Sequence, residues 1–152
     1  MPITGDWKKL EQLIKRTQTI ADPGFMRALS ADMAEETLSL IRQGFANESD
    51  PYGRPWQQLK RRQGRILQDT GRLRNSFHYS LTPGGFRVAN ATVYARAHQD
   101  PQPRSGWGKR PGSLSQLPQR MMVPSKTLGL PPRYVQAYTG IVKDHLRAHM
   151  KR

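Results

Sequence analysis

Hydrophobic residues recur every three or four positions through the first fifty residues, which is the period of an amphipathic helix. In the first stretch, residues 6–19, the residues on the apolar face are Trp7, Leu10, Leu13, Ile14 and Thr17. A second helix begins at Asp22-Pro23, because a capping carboxylate followed by proline is typical of a helix start. Its apolar set is Phe25, Leu29, Met33, Leu40 and Ile41, and Gly44 is its predicted end. The pattern therefore predicts two N-terminal helices that pair with each other or pack on one sheet.

Strict alternation replaces the helical period after residue 76. Phe77, Tyr79 and Leu81 alternate with polar residues, the turn formers Pro83–Gly85 follow, and apolar residues resume at Phe86. This pattern predicts a β-hairpin near residues 76–90. The next segment, Thr92–Arg96, is either a further strand or the start of a short helix.

Three weaker patterns complete the prediction. A short helix is expected over Leu67–Ser76, with Asp69 or Thr70 as its cap, and a short strand over Met121–Pro124. The last segment has helical spacing of its apolar residues, which are Val135, Tyr138, Ile141, Val142 and Leu146. We expect an α+β fold in which these helices pack on a small antiparallel sheet.

We expect a single domain over residues 1–152, which is about one domain's length. Its expected parts are a helical pair (1–45), a loop and short helix (46–75), a hairpin and strand (76–99), an extended Pro/Gly-rich basic arm (100–118), and a short strand with the C-terminal helix (119–152).

The chain has no cysteine, which excludes a disulfide framework, a thiolate nucleophile and a cysteine zinc site. Its apolar runs are too short to span a bilayer, and its first residues lack the pattern of a signal peptide. We therefore expect a soluble protein without an export signal.

The formal net charge of +14 is unevenly distributed. Residues 1–50 carry eight acidic and six basic side chains, a net of −2, whereas the remainder carries a net of +16. The residues expected to face DNA in a channel, or another polyanion, are Lys60, Arg61, Arg62, Arg65, Arg104, Lys109 and Arg110, with Trp107 available to stack. No recognised nucleic-acid module accompanies these residues. The charge therefore indicates that the protein lies next to a polyanion without reading its sequence. A basic DNA-binding protein is the alternative.

Enzymatic chemistry finds little support in the sequence. His145 and His149 are one helical turn apart, as two zinc ligands would be, but no Glu completes a His-Glu-x-x-His pattern. Only three carboxylates follow residue 50, and the glycine pairs match no phosphate-binding loop. We predict no catalytic residue, no metal and no cofactor, and therefore a protein that is not an enzyme.

Three segments in series resemble signatures of the phage virion morphogenesis family, which includes tail completion proteins and Mu-type morphogenesis proteins. Phe45–Leu59 is similar to the family pattern F-x(3-5)-DP-x-G-x-x-W-x-x-L. Ile66–Ser76 is similar to I-L-x-x-T-G-x-L-x-x-S, and Tyr94–Gln99 to Y-A-x-x-H-Q. Pro131–Arg133 stands where the family has a P-x-R element before its last helix. The resemblance covers about residues 22–150, with the segments in the family's order.

The resemblance implies a structural, non-enzymatic tail completion or tail terminator protein of the neck, which forms a ring at the head-tail junction and lets the tail join the capsid. Such rings are commonly hexamers. The implied partners are further copies of the chain, the tail tube protein and neck or connector proteins, with packaged DNA as a non-specific neighbour and with neither a membrane nor a small-molecule substrate. The implied location is the tail or neck of the virion, assembled in the host bacterial cytoplasm. A capsid or head morphogenesis factor absent from the mature virion is an alternative.

The residues expected to anchor loops or contact other subunits are Asp50, Pro51, Gly53, Trp56, Thr70, Gly71, Tyr94, His98, Gln99, Trp107 and Arg133. Within this set, Asp50 is expected to bond nearby backbone N–H groups in a turn, and Trp56 to dock the loop on the core. The loop Asp50–Trp56 and the arm Gln102–Pro118 are the segments expected to reach neighbouring subunits. The arm is expected to become ordered on assembly.

Overall fold

A computed structural model of the chain describes residues 22–59, 63–101, 104–105, 114–115 and 118–150. Its helices are α1 (Pro23–Asn47), α2 (Arg72–Asn75), α3 (Ala95–Gln99) and α4 (Pro132–Met150). Its strands are β1 (Phe77–Thr82), β2 (Gly85–Asn90), β3 (Arg104–Ser105) and β4 (Leu114–Ser115). Helices therefore combine with antiparallel strands, as in the predicted α+β class. The helix predicted over residues 6–19 lies outside the described residues.

Helix α1 starts where the sequence predicts and ends later than predicted. The Asp22 carboxylate accepts a hydrogen bond from the Phe25 N–H at 3.2 Å, and proline occupies the first turn. The helix does not stop at Gly44 but continues to Asn47, and Glu48 ends it with a left-handed φ of 51°. A Cβ on Gly44 would lie 3.2 Å from the Ser49 carbonyl oxygen. Gly44 therefore makes room for the chain that folds back after the helix.

The predicted hairpin is confirmed as an antiparallel pair of β1 and β2. Its register runs from Phe77 opposite Asn90 to Thr82 opposite Gly85, so that Pro83 and Gly84 alone form the turn. The alternation of β1 is visible in its burial, because Phe77, Tyr79 and Leu81 are half-buried and the residues between them are exposed. Both strands pack against α1.

Helix α4 packs on α1 through its aromatic residues. Tyr134 is 2% exposed and meets Tyr138 edge-on, with ring centroids 6.0 Å apart. The Tyr138 hydroxyl donates to the Thr37 hydroxyl at 2.6 Å, which in turn donates to a carbonyl of α1 at 2.7 Å. Burial raises the pKa of both tyrosines. Among the described helices, none is long and apolar enough to cross a membrane.

The hydrophobic core is centred on Phe45, which is fully buried at the end of α1. Its ring meets Trp56 edge-on, with centroids 5.2 Å apart, and Phe77 at 6.1 Å. The buried cluster consists of Ile41, Phe45, Trp56, Ile66, Leu73, Ala95 and Met122. Several of its members lie outside helices and strands, so much of the core is built from irregular segments.

Two local predictions are wrong. The first concerns the helix expected over Leu67–Ser76, which is only the single turn of α2, because Leu67 and Gly71 have left-handed φ values of 59° and 69° and interrupt it. Neither Asp69 nor Thr70 is its N-cap, a position that Gly71 occupies. The segment after β2, for which the sequence leaves open a further strand or the start of a short helix, forms the short helix α3.

The second error concerns Met121–Pro124, which is irregular where a strand is expected. Side chains bond its backbone groups, as described below, so no neighbouring strand is required. Within the arm, the described pairs Arg104–Ser105 and Leu114–Ser115 form a two-residue antiparallel ladder that the sequence does not predict.

We predict that Phe45→Ala lowers the free energy of unfolding by about 3–5 kcal/mol, because it empties a fully buried site between two aromatic rings. Phe25→Ala, at the half-exposed start of α1, is the matched control and is expected to lose less than half as much. Urea unfolding followed by tryptophan fluorescence measures both. Equal losses would show that Phe45 is not the centre of the core.

Candidate functional site

The loop after α1 is closed around the buried carboxylate of Asp50. One oxygen of this carboxylate accepts hydrogen bonds from the backbone N–H groups of Tyr52 at 2.9 Å and Arg54 at 2.8 Å. Two backbone bonds reinforce the turn, from Asp50 N–H to the Arg54 carbonyl and from Gly53 N–H to the Asp50 carbonyl. Gly53 has a φ of 84°, which favours glycine. The Asp-Pro-x-Gly sequence therefore specifies a rigid turn, with Pro51 half-buried at its second position.

Trp56 lies at the end of this loop, inside the core, with 4% of its surface exposed. Its indole N–H donates to the Met121 carbonyl at 3.0 Å, and its backbone N–H donates to the Glu48 carbonyl at 2.7 Å. The loop is thereby attached to α1 on one side and to a segment 65 residues later on the other.

A second attachment connects the loop to the segment before α4. The Tyr52 hydroxyl donates to the Gly129 carbonyl at 2.7 Å and accepts from the Ser125 N–H at 3.0 Å. The guanidinium of Arg54 lies over the Tyr52 ring, 5.5 Å from its centroid. Arg133, at the start of α4, donates to the Gln43 side-chain carbonyl on α1. Sequence reasoning missed Tyr52, because nothing near it along the chain indicates its partners.

The second signature segment is held against the first by two side chains. The Glu48 carboxylate accepts from the Ile66 N–H at 2.8 Å, and the Gln68 amide donates to the Phe45 carbonyl at 2.6 Å. Both bonds satisfy backbone groups that lie outside strands or at a helix end.

Gln99, at the end of α3, replaces the strand partner that Met121–Pro124 lacks. Its side-chain oxygen accepts from the N–H groups of Met122 at 2.8 Å and Val123 at 3.1 Å. Its amide nitrogen donates to the Val123 carbonyl at 2.9 Å. One side chain therefore satisfies three backbone groups of residues 122–123.

A cleft of about 390 Å³ opens where the three signature segments meet. The residues that line it include Leu59, Thr70, Gly71, Tyr94, His98 and Arg120. It thereby brings together four predicted site residues that are far apart along the chain. Arg120 was missed because it stands outside every signature, in a segment whose sequence indicates only a short strand.

His98 and Arg120 form the polar part of this cleft. The imidazole Nδ1 of His98 is buried and has no hydrogen-bond partner among the residues that the structure describes. Tyr94 lies edge-on to the same ring, with centroids 6.4 Å apart. Burial, and then the positive charge of Arg120, lower the pKa of His98, so the imidazole is neutral at pH 7.

The remaining predicted site residues are not gathered at this cleft. Arg65 is exposed, and Arg104 lies in β3. Lys60, Arg61, Arg62, Trp107, Lys109 and Arg110 lie outside the described residues. The described ranges contain no group of three or more His, Asp or Glu side chains arranged to hold a metal ion.

Comparison with known proteins supplies one match. The model of the phage virion morphogenesis family matches residues 5–147, nearly the whole chain. The resemblance inferred from the three segments is thereby confirmed. No curated protein and no solved structure matches the chain significantly.

We predict that Gln99→Ala lowers the free energy of unfolding by about 3 kcal/mol, because three backbone groups of residues 122–123 lose their partner. Gln58→Ala removes an exposed side chain of the same type and is expected to change stability by less than about 0.5 kcal/mol. Urea unfolding gives both values. Amide hydrogen exchange at Met122 is expected to accelerate only in the Gln99 variant, and unchanged exchange there would contradict the role of Gln99.

We predict that His98 makes the protein less stable as the solution is acidified. Because the folded pKa of His98 is below its ordinary value of 6.5, the unfolded chain takes up the proton first as the pH falls. The contribution of neutral His98 is therefore fully present above about pH 6.5 and declines below it. Thermal unfolding from pH 7.5 to 5 is expected to show a shallower pH dependence in His98→Asn than in the wild type. His78→Asn replaces an exposed histidine and is the control, which is expected to show the same pH dependence of thermal unfolding as the wild type.

Proposed function

Since its family model matches residues 5–147, the chain belongs to the phage virion morphogenesis family, and we propose that it is a tail completion protein, or tail terminator, of the virion neck. In this proposal, copies of the chain form a hexameric ring at the head-tail junction and let the finished tail join the capsid. Family membership gives the broader role in virion morphogenesis and is the observation that carries the proposal. The proposed role is structural and involves no catalysis.

Exposed apolar side chains near the signature loop support a role in contacts with other proteins. Leu128, Leu130 and Val135 are each about half exposed, at 53%, 55% and 48%. Their backbone is held in place, because Gly129 accepts the hydrogen bond from Tyr52. Large apolar groups exposed on a fixed backbone are typical of the central part of a protein interface. We infer that this surface and the loop Asp50–Trp56 contact a neighbouring subunit or the tail tube protein.

The distribution of charge supports a ring in particular. A head-to-tail ring requires two different surfaces of one subunit that complement each other. One candidate is the acidic groove, defined as the groove beside α1 that is lined by the three carboxylates of Asp32, Glu35 and Glu36 and by one guanidinium, that of Arg42. The net charge of +16 after residue 50 supplies the opposite sign. We infer that the acidic groove of one copy faces basic residues of the next, while other basic residues line a channel through which DNA passes without sequence-specific contacts.

Native mass spectrometry of the pure protein, combined with protein mass analysis of purified virions, tests the proposal. We expect a closed ring in solution and the same chain in the mature particle. A monomer that is absent from virions would contradict the proposal and favour a head morphogenesis factor. A monomer or dimer that binds duplex DNA with a steep salt dependence would favour the basic DNA-binding protein.

A charge reversal tests the acidic groove. Glu35→Lys places a cation in the groove and is expected to weaken subunit association about tenfold through repulsion of the neighbouring basic surface. Asp144→Lys reverses an equally exposed carboxylate on α4 and is the matched control, expected to leave the ring intact. Native mass spectra at several protein concentrations measure both. Equal weakening by the two variants would show that net charge, and not the groove, controls assembly.

A further inference from the structure

Arg120 is a buried cation without an anionic partner in the described part of the chain. The residue is 6% exposed, and its Nε and Nη2 donate to the Gln57 carbonyl at 3.1 and 2.8 Å. The contacts between basic side chains and carboxylates found among described residues involve Arg54, His145 and Arg147. A guanidinium buried against neutral oxygens alone is unfavourable, since a buried charge normally has a counter-charge. Arg120 therefore lies in a site that an anion would complete.

His98, beside it, has a second unsatisfied group. Its Nδ1 is buried and has no hydrogen-bond partner among described residues, while its backbone carbonyl accepts the backbone N–H of Arg120 at 2.9 Å. Both residues line the same cleft, and the charge of Arg120 acts on the His98 imidazole. Because a protonated imidazole and a guanidinium are both hydrogen-bond donors, one anionic group is able to interact with both.

The rest of the cleft restricts what that anion is. Arg72 adds a second guanidinium, Asp69 contributes one carboxylate, and Leu59, Leu67 and Leu73 supply apolar walls. The volume of about 390 Å³ accommodates a few side chains of a peptide. The stiff backbone of duplex DNA does not enter a cleft of this size with apolar walls. A carboxylate at the end of a short side chain meets all these conditions.

We propose that this cleft, formed by Thr70–Gly71, Tyr94–His98 and Arg120, binds an aspartate or glutamate side chain from an acidic segment of a different virion protein. A different protein is favoured over a second copy because this chain has few carboxylates to supply, with 11 Asp and Glu against 25 Lys and Arg. Only the identity of the partner as a virion protein rests on the proposed function. Carboxylate binding itself is a property of the isolated chain.

The experiment follows the His98 imidazole signals by NMR in the full-length protein. The test ligand is a short peptide of alternating glutamate and glycine, acetylated and amidated so that its only charges are on side chains. We expect saturable shifts of the His98 signals and an increase of the His98 pKa, because a bound carboxylate favours the protonated imidazole. The same peptide with glutamine in place of glutamate is expected to produce neither change.

Two exposed arginines provide matched variants that preserve the fold. Arg72 lines the cleft, whereas Arg87 is exposed on β2, away from it. Arg72→Gln is expected to weaken peptide binding about tenfold, and Arg87→Gln less than about twofold. Arg120→Gln is expected to abolish binding, with thermal unfolding as the check of its fold. If the Arg120→Gln variant does not fold, the difference in peptide binding between Arg72→Gln and Arg87→Gln still tests whether the cleft is the binding site.

Four results would overturn the proposal. Absence of His98 shifts with the glutamate peptide would exclude a carboxylate site, and equal weakening by Arg72→Gln and Arg87→Gln would indicate general attraction to a basic surface. Equal shifts with inorganic phosphate or short duplex DNA would indicate a phosphate site. Shifts that depend on protein concentration without peptide would identify a second copy as the partner. None of these results alters the ring test by native mass spectrometry, so failure of one proposal is distinguishable from failure of the other.

Discussion

Buried backbone groups outside helices and strands need hydrogen-bond partners, and the core of this protein depends on side chains to supply them. The Trp56 indole donates to the Met121 carbonyl, and the Gln99 side chain bonds backbone N–H and C=O groups of residues 122–123. Glu48 and Gln68 hold the second signature segment to the end of α1. Each of these side chains also fixes the position of a loop. Trp56 and Gln99, which are specified positions of their signatures, are therefore restricted in chemical type, because a substitute must present a donor or acceptor at the same place.

The parts of the fold that the sequence predicts correctly are those with local causes. The start of α1 follows from Asp22-Pro23, and the hairpin follows from alternation around Pro83–Gly85. The Asp50 turn is equally local, because its partners lie within four residues. The errors arise where a distant partner decides the structure. Met121–Pro124 has strand-forming residues but takes its hydrogen bonds from Gln99, more than twenty residues earlier, and Gly44 accommodates the returning chain while the helix continues.

The candidate site was predictable only in part for the same reason. The resemblance to the family identifies Thr70, Gly71, Tyr94 and His98 separately, but their meeting at one cleft is a property of the folded chain. Arg120 has no distinguishing neighbours in sequence, and its importance comes from its burial beside His98. Family membership gives the broad role in virion morphogenesis. The cleft adds a place where this protein has the chemistry to recognise a carboxylate.

The hydrogen bond from Trp56 to Met121 also has a consequence for how the chain acquires its structure during synthesis. The two residues are 65 positions apart, and Met122 belongs to the same buried cluster as Trp56 and Phe45. A chain emerging from the ribosome amino terminus first can form α1 and the hairpin early, but it cannot complete the core until residues 121–123 have left the exit tunnel. Until then, the indole lacks its bond to Met121, and the loop also lacks the bonds of Tyr52 to residues 125 and 129. A nascent chain is thereby kept from presenting its finished loop before most of its length has been made.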